Sequence, residues 1–441
     1  MLLIYVPKLT NRLGYTLNVV MRDILQTEFA ITSDLDTFNQ HLGAKLCYAP
    51  NFVGDPHSVY IKSSHLLFET VIGDQEYRYF QTDGIPMIFP VFGSQIDLPF
   101  DPFAAIFFMI SRYEEYLPHC KDAHGRFLAT ESIAYKHGFL HLPVVDKWAF
   151  MVRDAILRHY PEHSFRKRRF NFVQTIDIDA AYCFKHKGVV RNFIGMCRDA
   201  FVNHDVAEVA HRIRVLRGDA DDPYDSFDYI ISQSLRYPDS QLLFFALLGD
   251  YGLYDKPASY LVPDFRQLIQ HIGDYSKVGI HGSYYSAEDA AKLDAEIHRL
   301  TNILHRPIYR NRFHFLRFAL PHAYRNLERL GIAHDYSMGF AELPGFRLGT
   351  CTIVPFFDLA SDQELDIKLH PFVTMDTTFH THMQLTSDEA LAQYRQLIDE
   401  VRAVDGTFIC IFHNQNLCES YGWQGWRNVY EEVLKYAYQN D

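Results

Sequence analysis

Two aspartates separated by one residue, Asp177 and Asp179, have a spacing that could support catalysis. They follow the apolar run 170–176, which predicts a strand, and alternation along a strand places both carboxylates on one face. Two close carboxylates repel each other where the dielectric constant is low, and a bound cation relieves that repulsion. One acid could then hold a metal while the other acts as a base. The pair could also be two solvated acids that begin a loop.

Two histidines follow later apolar runs in the same way. His281 comes directly after residues 278–280, and His413 comes directly after residues 407–412. Each alone is more typical of a hydrogen-bonded structural histidine. Acids and histidines at three predicted strand ends together indicate one site, because in α/β folds catalytic groups collect where strands end and loops begin.

The elements that must position these side chains form an α/β pattern. After residue 165, apolar strands alternate with amphipathic helices, which predicts βα units around a parallel sheet or barrel. The predicted strands are 170–176, 242–248, 278–280, 313–318 and 407–412; the predicted helices are 264–272, 287–304, 323–330, 387–404 and 425–438.

The first part of the chain mixes short strands with two predicted helices, 103–116 and 147–159, without strict alternation. A chain of 441 residues is too long for one ordinary core. We therefore expect two domains: a mixed α/β domain over residues 1–165 and the βα units over residues 166–441.

Composition narrows the classes of partner. The formal net charge is −12, which argues against a nucleic-acid surface, and the basic run 166–169 is interpreted as a solvated linker. Seven cysteines without a CxxC pair suit reduced thiols. No apolar stretch approaches the ~20 residues that span a bilayer, and the N-terminus lacks a signal-peptide pattern. We expect a cytoplasmic protein without a membrane span.

The ordered set of motifs resembles the polysaccharide deacetylases of carbohydrate esterase family 4. Their first motif is a strand that ends in Thr-Phe-Asp-Asp-Gly, and residues 175–179 (Thr-Ile-Asp-Ile-Asp) resemble a variant of it. His281 fits the first position of their His-Ser/Thr-x-x-His motif. Residues 312–315 resemble Arg-x-Pro-Tyr, and residues 411–413 resemble Leu-x-His. The resemblance covers roughly residues 170–440 and implies a distorted (β/α) barrel of the deacetylase type, preceded by an N-terminal domain of unknown function.

The resemblance also implies a metal site. Asp179 and His281 match the family's metal ligands, but Tyr285 stands where the second metal-binding histidine is expected. A neutral phenol is a poor ligand for Zn²⁺. We expect His314 to complete the site, although it could instead stack among the neighbouring Phe rings. The predicted cofactor is a divalent metal, Zn²⁺.

The implied activity is metal-dependent removal of acetyl groups from an N-acetylated sugar or polysaccharide. By the resemblance, Asp177 is the base and His413 is the acid that protonates the leaving amine. Arg312 or Arg317 is expected to orient the base. The candidates for binding the sugar are Tyr284, Tyr285 and Asn414.

Two alternatives stay open. Tyr285 in a metal-ligand position is compatible with a non-catalytic carbohydrate-binding protein on a decayed deacetylase barrel. Asp-Ile-Asp also matches the DxD signature with which many glycosyltransferases hold a metal and a nucleotide sugar. That second interpretation uses neither His281 nor His413.

Overall fold

The computed structural model describes residues 1–439. Its strands are β1 Leu2–Tyr5, β2 Phe29–Thr32, β3 Lys45–Ala49, β4 Val59–Lys62, β5 Phe80–Thr82, β6 Ile85–Met87, β7 Asn171–Ile178, β8 Gln241–Leu247, β9 Lys277–Gly282, β10 Arg310–Phe313, β11 His334–Asp335, β12 Val354–Asp358, β13 Gln363–Leu369, β14 Thr374–Met375 and β15 Thr407–His413.

The helices are α1 Asn11–Asn18, α2 Leu35–Gln40, α3 Pro102–Ile110, α4 Ile133–Lys136, α5 Val144–His159, α6 Val189–Phe201, α7 Val206–Arg217, α8 Phe227–Ser234, α9 Pro263–Tyr275, α10 Ala290–Leu304, α11 His322–Arg329, α12 Ser387–Arg402 and α13 Trp426–Tyr438. Within residues 1–439, no helix combines the length and apolar composition that crossing a bilayer requires.

A nine-stranded sheet organises the second half of the chain, in the order β12-β13-β11-β10-β9-β8-β7-β15-β14. Every neighbouring pair in it is parallel except β12 with β13. In this register His413 pairs with Asp177, and Arg312 pairs with His281. Because parallel strands end at the same edge, these side chains meet at the carboxyl edge of the sheet.

The strand pairing of the described residues leaves β12 and β14 as two ends of the sheet. The chain is therefore α/β as predicted, whereas closure into a barrel stays a prediction. Alternation along β7 puts Val173 on the same face as Asp177. Val173 packs in a buried cluster with apolar side chains of β8 and β15, which include Phe245 and Ile411. This cluster forms an apolar layer on the face of the sheet that carries the acid.

The first half contains a four-stranded parallel sheet, in the order β2-β1-β3-β4, and an antiparallel hairpin of β5 and β6. Its core is continuous with that of the second half. The Tyr15 ring contacts those of Phe107 and Phe357, and its hydroxyl donates to the Pro355 carbonyl at 2.8 Å. The predicted boundary at residue 165 lies in the segment between α5 and β7.

Two predicted elements are wrong, and both errors have a local cause. The predicted strand 313–318 is the end of β10 followed by a turn, in which Phe315 adopts the left-handed region with φ 59°. The predicted helix 103–116 breaks after α3 because Arg112 adopts φ 53°. At 313–316 apolar residues continue through the turn, and at 103–116 aromatic residues resume directly after Ser111 and Arg112, so the hydrophobic pattern does not reveal either break.

Candidate active site

A cavity of about 340 Å³ lies at the carboxyl edge of the nine-stranded sheet. Part of its polar wall comes from the ends of β7, β9 and β15 and from the turn after β10, and the rest comes from Arg126, Thr377, Thr381 and His382. Five of the predicted site residues line it: Asp177, Asp179, His281, His314 and His413. Arg312 lies behind this wall and contacts Asp177. The apolar wall is formed by Phe313, Phe315, Leu316, Ala341 and Met375.

Three of these side chains form a group that could hold a metal. One ligand atom each from Asp179, His281 and His314 lies within 4.8 Å of the other two. The Nε2 atoms of His281 and His314 are 3.2 Å and 3.6 Å from Asp179 Oδ1. The structure brings His314, and not the half-exposed Tyr285, to this carboxylate.

The opposite ring nitrogens of both histidines are already engaged. Nδ1 of His281 is 2.8 Å from the Arg312 carbonyl oxygen, and Nδ1 of His314 is 2.8 Å from Asp255 Oδ1. Because each of these acceptors takes an Nδ1–H, Nε2 is the ring nitrogen of each histidine that faces Asp179. This arrangement is typical of metal-binding histidines, in which a second partner fixes the tautomer.

The residues therefore fit a divalent cation. Asp179 Oδ1 is buried and accepts no hydrogen bond in the described structure. A buried charged atom without a partner is costly, by at least ~1–3 kcal/mol. Two imidazole nitrogens and a carboxylate oxygen are a donor set that Zn²⁺ prefers.

The electrostatics of the group are those of an ionised acid among imidazoles. Burial alone would raise the pKa of Asp179, but His314 and His413 outweigh it and hold that pKa well below its ordinary value. Burial alone would lower the pKa of His314, but the Asp179 carboxylate raises it to about 9. Negative charge at Asp179 therefore attracts positive charge to the cavity.

Asp177 is fixed by a buried guanidinium. Its Oδ1 accepts a hydrogen bond from Arg312 Nη1 at 2.7 Å, and the same nitrogen donates to Thr175 Oγ1 at 2.8 Å. Arg312 is fully buried, and its Nε donates to the Tyr336 carbonyl at 3.0 Å. One Asp177 oxygen is thus held by Arg312, while Asp177 also lines the cavity.

His413 is fixed by a second acid. Its Nδ1 is 2.7 Å from Asp376 Oδ1, and its backbone N–H donates to Asp376 Oδ2 at 2.9 Å. The Nε2 atom, 3.6 Å from Asp179 Oδ2, faces the cavity. Burial alone would lower the pKa of His413, but Asp376 and Asp179 raise it to about 10. The imidazole can therefore carry a proton at neutral pH.

Sequence reasoning missed three functional candidates: Asp255, Asp376 and Arg126. Asp376 follows β14, and Asp255 comes eight residues after β8, so acids near strand ends were again the available signal. β14 has only two residues and leaves no periodicity to detect. Arg126, from the first half, lines the cavity and donates to the Phe315 carbonyl at 2.8 Å, a contact with no signal in the sequence.

The three predicted sugar-binding residues do not line the cavity. Tyr284 is buried and stacks on Tyr254, with ring centroids 4.0 Å apart. Tyr285 lies outside the cavity and is half-exposed. Asn414 is fully buried, and its amide instead donates to the carbonyls of Ala180 and Tyr224.

Residues 2–161 match a family of unknown function, DUF7033. The chain is similar to a solved structure from Mycobacterium smegmatis assigned to the polysaccharide deacetylases, with 13% identity, a TM-score of 0.38, and coverage of 62% of this chain and 85% of that one. The polysaccharide deacetylase Bc1974 from Bacillus cereus has 10% identity and a TM-score of 0.30, with coverage of 61% of this chain and 88% of that one. Puue allantoinase has 12% identity and a TM-score of 0.38, with coverage of 63% of this chain and 86% of that one. No curated protein matches the chain.

Proposed function

We propose that the chain is a metal-dependent hydrolase that removes the acetyl group from an N-acetylated sugar. One observation carries this proposal: the possible metal ligands Asp179, His281 and His314 converge in a cavity that also presents Asp177 and His413. A metal group, a fixed base and a fixed acid are the parts that hydrolysis of an amide requires.

Asp179, His281 and His314 would hold the divalent ion, with Zn²⁺ as the expected metal. When bound, such an ion supplies Lewis-acid chemistry, because it polarises a carbonyl and acidifies water. The assignment of His314 as the third ligand follows from its distance to Asp179 and from the hydrogen bond that fixes its ring.

Asp177 would act as the general base. Arg312 holds its Oδ1, so its position does not depend on the substrate, and its other oxygen can accept a proton from the attacking water. His413 would act as the general acid, since Asp376 engages Nδ1 and leaves the Nε2–H free to protonate the departing amine. Each such proton transfer is typically worth about 10²–10⁴-fold in rate.

The cavity supports a small substrate unit. Its volume of about 340 Å³ is at the lower end of the range of ligand sites, roughly 300–1,000 Å³. Leu316, Ala341 and Met375 form an apolar part of its wall, which suits an acetyl methyl group. We therefore propose that one acetylated sugar ring occupies the reacting position.

The finer features of the fold belong to the same proposal. A distorted (β/α) barrel of the deacetylase type would be formed by residues 166–441, with the nine-stranded sheet as its wall. Residues 1–165 would form an α/β domain that packs against this barrel and supplies Arg126 to the cavity. The DxD glycosyltransferase alternative has less support than the deacetylase proposal, because it assigns no role to His281 or His413.

The test measures bound metal and acetate release together. The purified protein should carry about one divalent ion per chain and release acetate from N-acetylated chito-oligosaccharides. A chelator should stop acetate release, and Zn²⁺ should restore it. Bound metal without acetate release from any acetylated sugar would favour the non-catalytic carbohydrate-binding alternative. Absence of bound metal after Zn²⁺ addition would contradict the proposal.

A further inference from the structure

An apolar surface covers one side of α6 and continues to the start of α7. Seven large side chains contribute to it, each at least 61% exposed: Val189, Val190, Phe193, Ile194, Phe201, Val202 and Val206. We call this set the α6 surface. Single exposed apolar residues are ordinary on proteins, but a contiguous patch of this kind marks an interaction site.

A helix that packs on a core turns its apolar side inward, whereas α6 turns its apolar side outward. Its inward side is polar: Asn192 and Asp199, seven residues apart, are buried. Both contact Arg212 of α7, whose Nη2 donates to Asp199 Oδ2 at 2.6 Å. The apolar side faces outward, and the exposed Arg191 and Arg198 lie along its border at the same seven-residue spacing. Exposed apolar residues bordered by arginines are typical of helices that lie on a membrane surface.

The charge around the α6 surface is opposite to that of the whole chain. Residues 185–217 contain seven Lys or Arg and three Asp or Glu, a net charge of +4, whereas the whole chain carries −12. A cavity of about 620 Å³ beside α6 is lined by four of these cations, Lys187, Arg191, Arg198 and Arg212, and by three acids, Asp199, Asp205 and Glu208. Nε of Arg212 is buried without a hydrogen-bond partner in the described structure. This charge complements the phosphates of anionic lipids.

The α6 surface belongs to the same edge of the sheet as the candidate active site. The segment that contains α6 and α7 leaves β7 at its carboxyl end, directly after Asp179. Both ends of this segment contact Asn414, the residue after His413, because the Asn414 amide donates to the carbonyls of Ala180 and Tyr224. The segment that carries the α6 surface therefore begins and ends at the edge of the sheet where the cavity lies.

We infer that the α6 surface binds an anionic phospholipid bilayer, with α6 lying in the headgroup region, and that the enzyme takes its acetylated sugar from a lipid carrier. The statement about the carrier rests on the proposed function, whereas the statement about the bilayer does not. The thirteen residues of α6 are too few to span a membrane but enough to lie on one.

Vesicle flotation tests the bilayer contact. The full chain should float with vesicles of phosphatidylcholine and phosphatidylglycerol, and it should not float with phosphatidylcholine alone. Phe193→Glu with Ile194→Glu should lower the partition coefficient by about tenfold or more, because two charges replace apolar groups that enter the headgroup region. Added salt should weaken the binding as well, since part of it is electrostatic.

The matched control is Leu42→Glu with Phe92→Glu, which changes two apolar residues elsewhere that are even more exposed and should leave flotation unchanged. Failure of the wild-type chain to float, or equal flotation of the Phe193→Glu/Ile194→Glu protein, overturns the inference. So does a wild-type dimer that this double variant converts to a monomer, because a second copy would then cover the α6 surface. Asp177→Asn should float like the wild type, so flotation can be interpreted even if the deacetylase proposal fails.

The carrier is tested by comparing two substrates. Release of acetate from a soluble chito-oligosaccharide should be the same in the wild type and the Phe193→Glu/Ile194→Glu protein. Release from an acetylated sugar on a lipid anchor in anionic vesicles should fall about tenfold or more in the double variant. An unchanged ratio between the two substrates, with flotation lost, overturns the lipid carrier and leaves the deacetylase proposal standing.

Discussion

Glu115 and Asp179, two acids that each have a buried carboxylate oxygen beside basic side chains, differ in whether those oxygens are satisfied. Glu115, between the two halves of the chain, accepts hydrogen bonds from Arg112 Nε at 2.7 Å and from Arg347 Nε and Nη2 at 2.9 Å and 2.8 Å. Asp179 in the cavity accepts a hydrogen bond at Oδ2 from Gln415 at 3.3 Å, and its Oδ1 accepts none. Both acids are surrounded by groups that can carry positive charge.

This difference indicates that the hydrogen bonds of Glu115 stabilise the structure, whereas the group around Asp179 is arranged to bind a ligand. Around Glu115 the charges are paired within the protein, so the network stabilises the contact between the halves. Around Asp179 the imidazole nitrogens point at a carboxylate oxygen that has no hydrogen-bond partner. Buried polar atoms are nearly always satisfied in native proteins, so the unsatisfied Asp179 Oδ1, beside two imidazole nitrogens, fits a bound cation. The following predictions break one network at a time.

The largest effect is expected at Asp179. Asp179→Ala should take the bound metal from about one per chain to none, because one of three ligands is lost. Metal content measured after gel filtration checks this. Asp228→Ala, which removes an exposed acid paired with a histidine, should retain the metal. Retention of metal by Asp179→Ala would show that other residues hold it.

Substitution of Asp177 should lower turnover without loss of the metal, unlike substitution of Asp179. Asp177→Asn keeps the shape but removes the basic oxygen, so turnover should fall about 10²–10⁴-fold while the metal stays bound. His413→Ala should give a loss of similar size, also with metal retained. Turnover and bound metal are measured side by side on each protein. Loss of metal in Asp177→Asn would reverse the roles assigned to the two aspartates.

Glu115→Gln should break the other network. Removing one partner of a buried ion pair leaves the two arginines uncompensated, and the free energy of unfolding should fall by about 3 kcal/mol. Urea denaturation measures this change. Bound metal should be unaffected, because Glu115 takes no part in the cavity. A change within experimental error would show that the arginines find other partners.

The stabilisation that Glu115 provides should decrease as the pH falls. Burial alone would raise the pKa of Glu115, but Arg347 and Arg112 outweigh it and lower that pKa from 4.5 to about 2. The stabilisation is therefore present in full above pH 4.5 and is lost as the pH falls toward 2. Wild-type stability should fall over this interval more steeply than that of Glu115→Gln.

The smallest effect is expected behind the metal group, at Asp255. Asp255→Asn removes the charge that holds His314 through Nδ1. Metal affinity should weaken about 10–100-fold, the usual consequence of losing such an indirect partner. Competition with a chelator of known affinity measures it. Tyr284→Phe is the control, since it alters a neighbouring side chain whose hydroxyl contacts His124 and not His314.

Some of this molecule follows from local sequence patterns. The alternation of apolar runs and amphipathic helices predicts the α/β class, and the strand positions of β7, β9 and β15 agree with it. Because parallel strands end at one edge, the acids and histidines that follow those strands had to lie close together. The proximity of Asp179, His281 and His413 could therefore be predicted before any coordinates were considered.

The partners of these residues were decided only by the tertiary structure. Asp376 meets His413 across 37 residues of chain, and Arg126 meets Phe315 across 189. The outward orientation of the apolar side of α6 is likewise absent from its sequence pattern, which would equally suit a helix packed on a core. Periodicity reports how side chains are spaced along one element, whereas hydrogen-bond partners and exposure depend on which other elements pack against it.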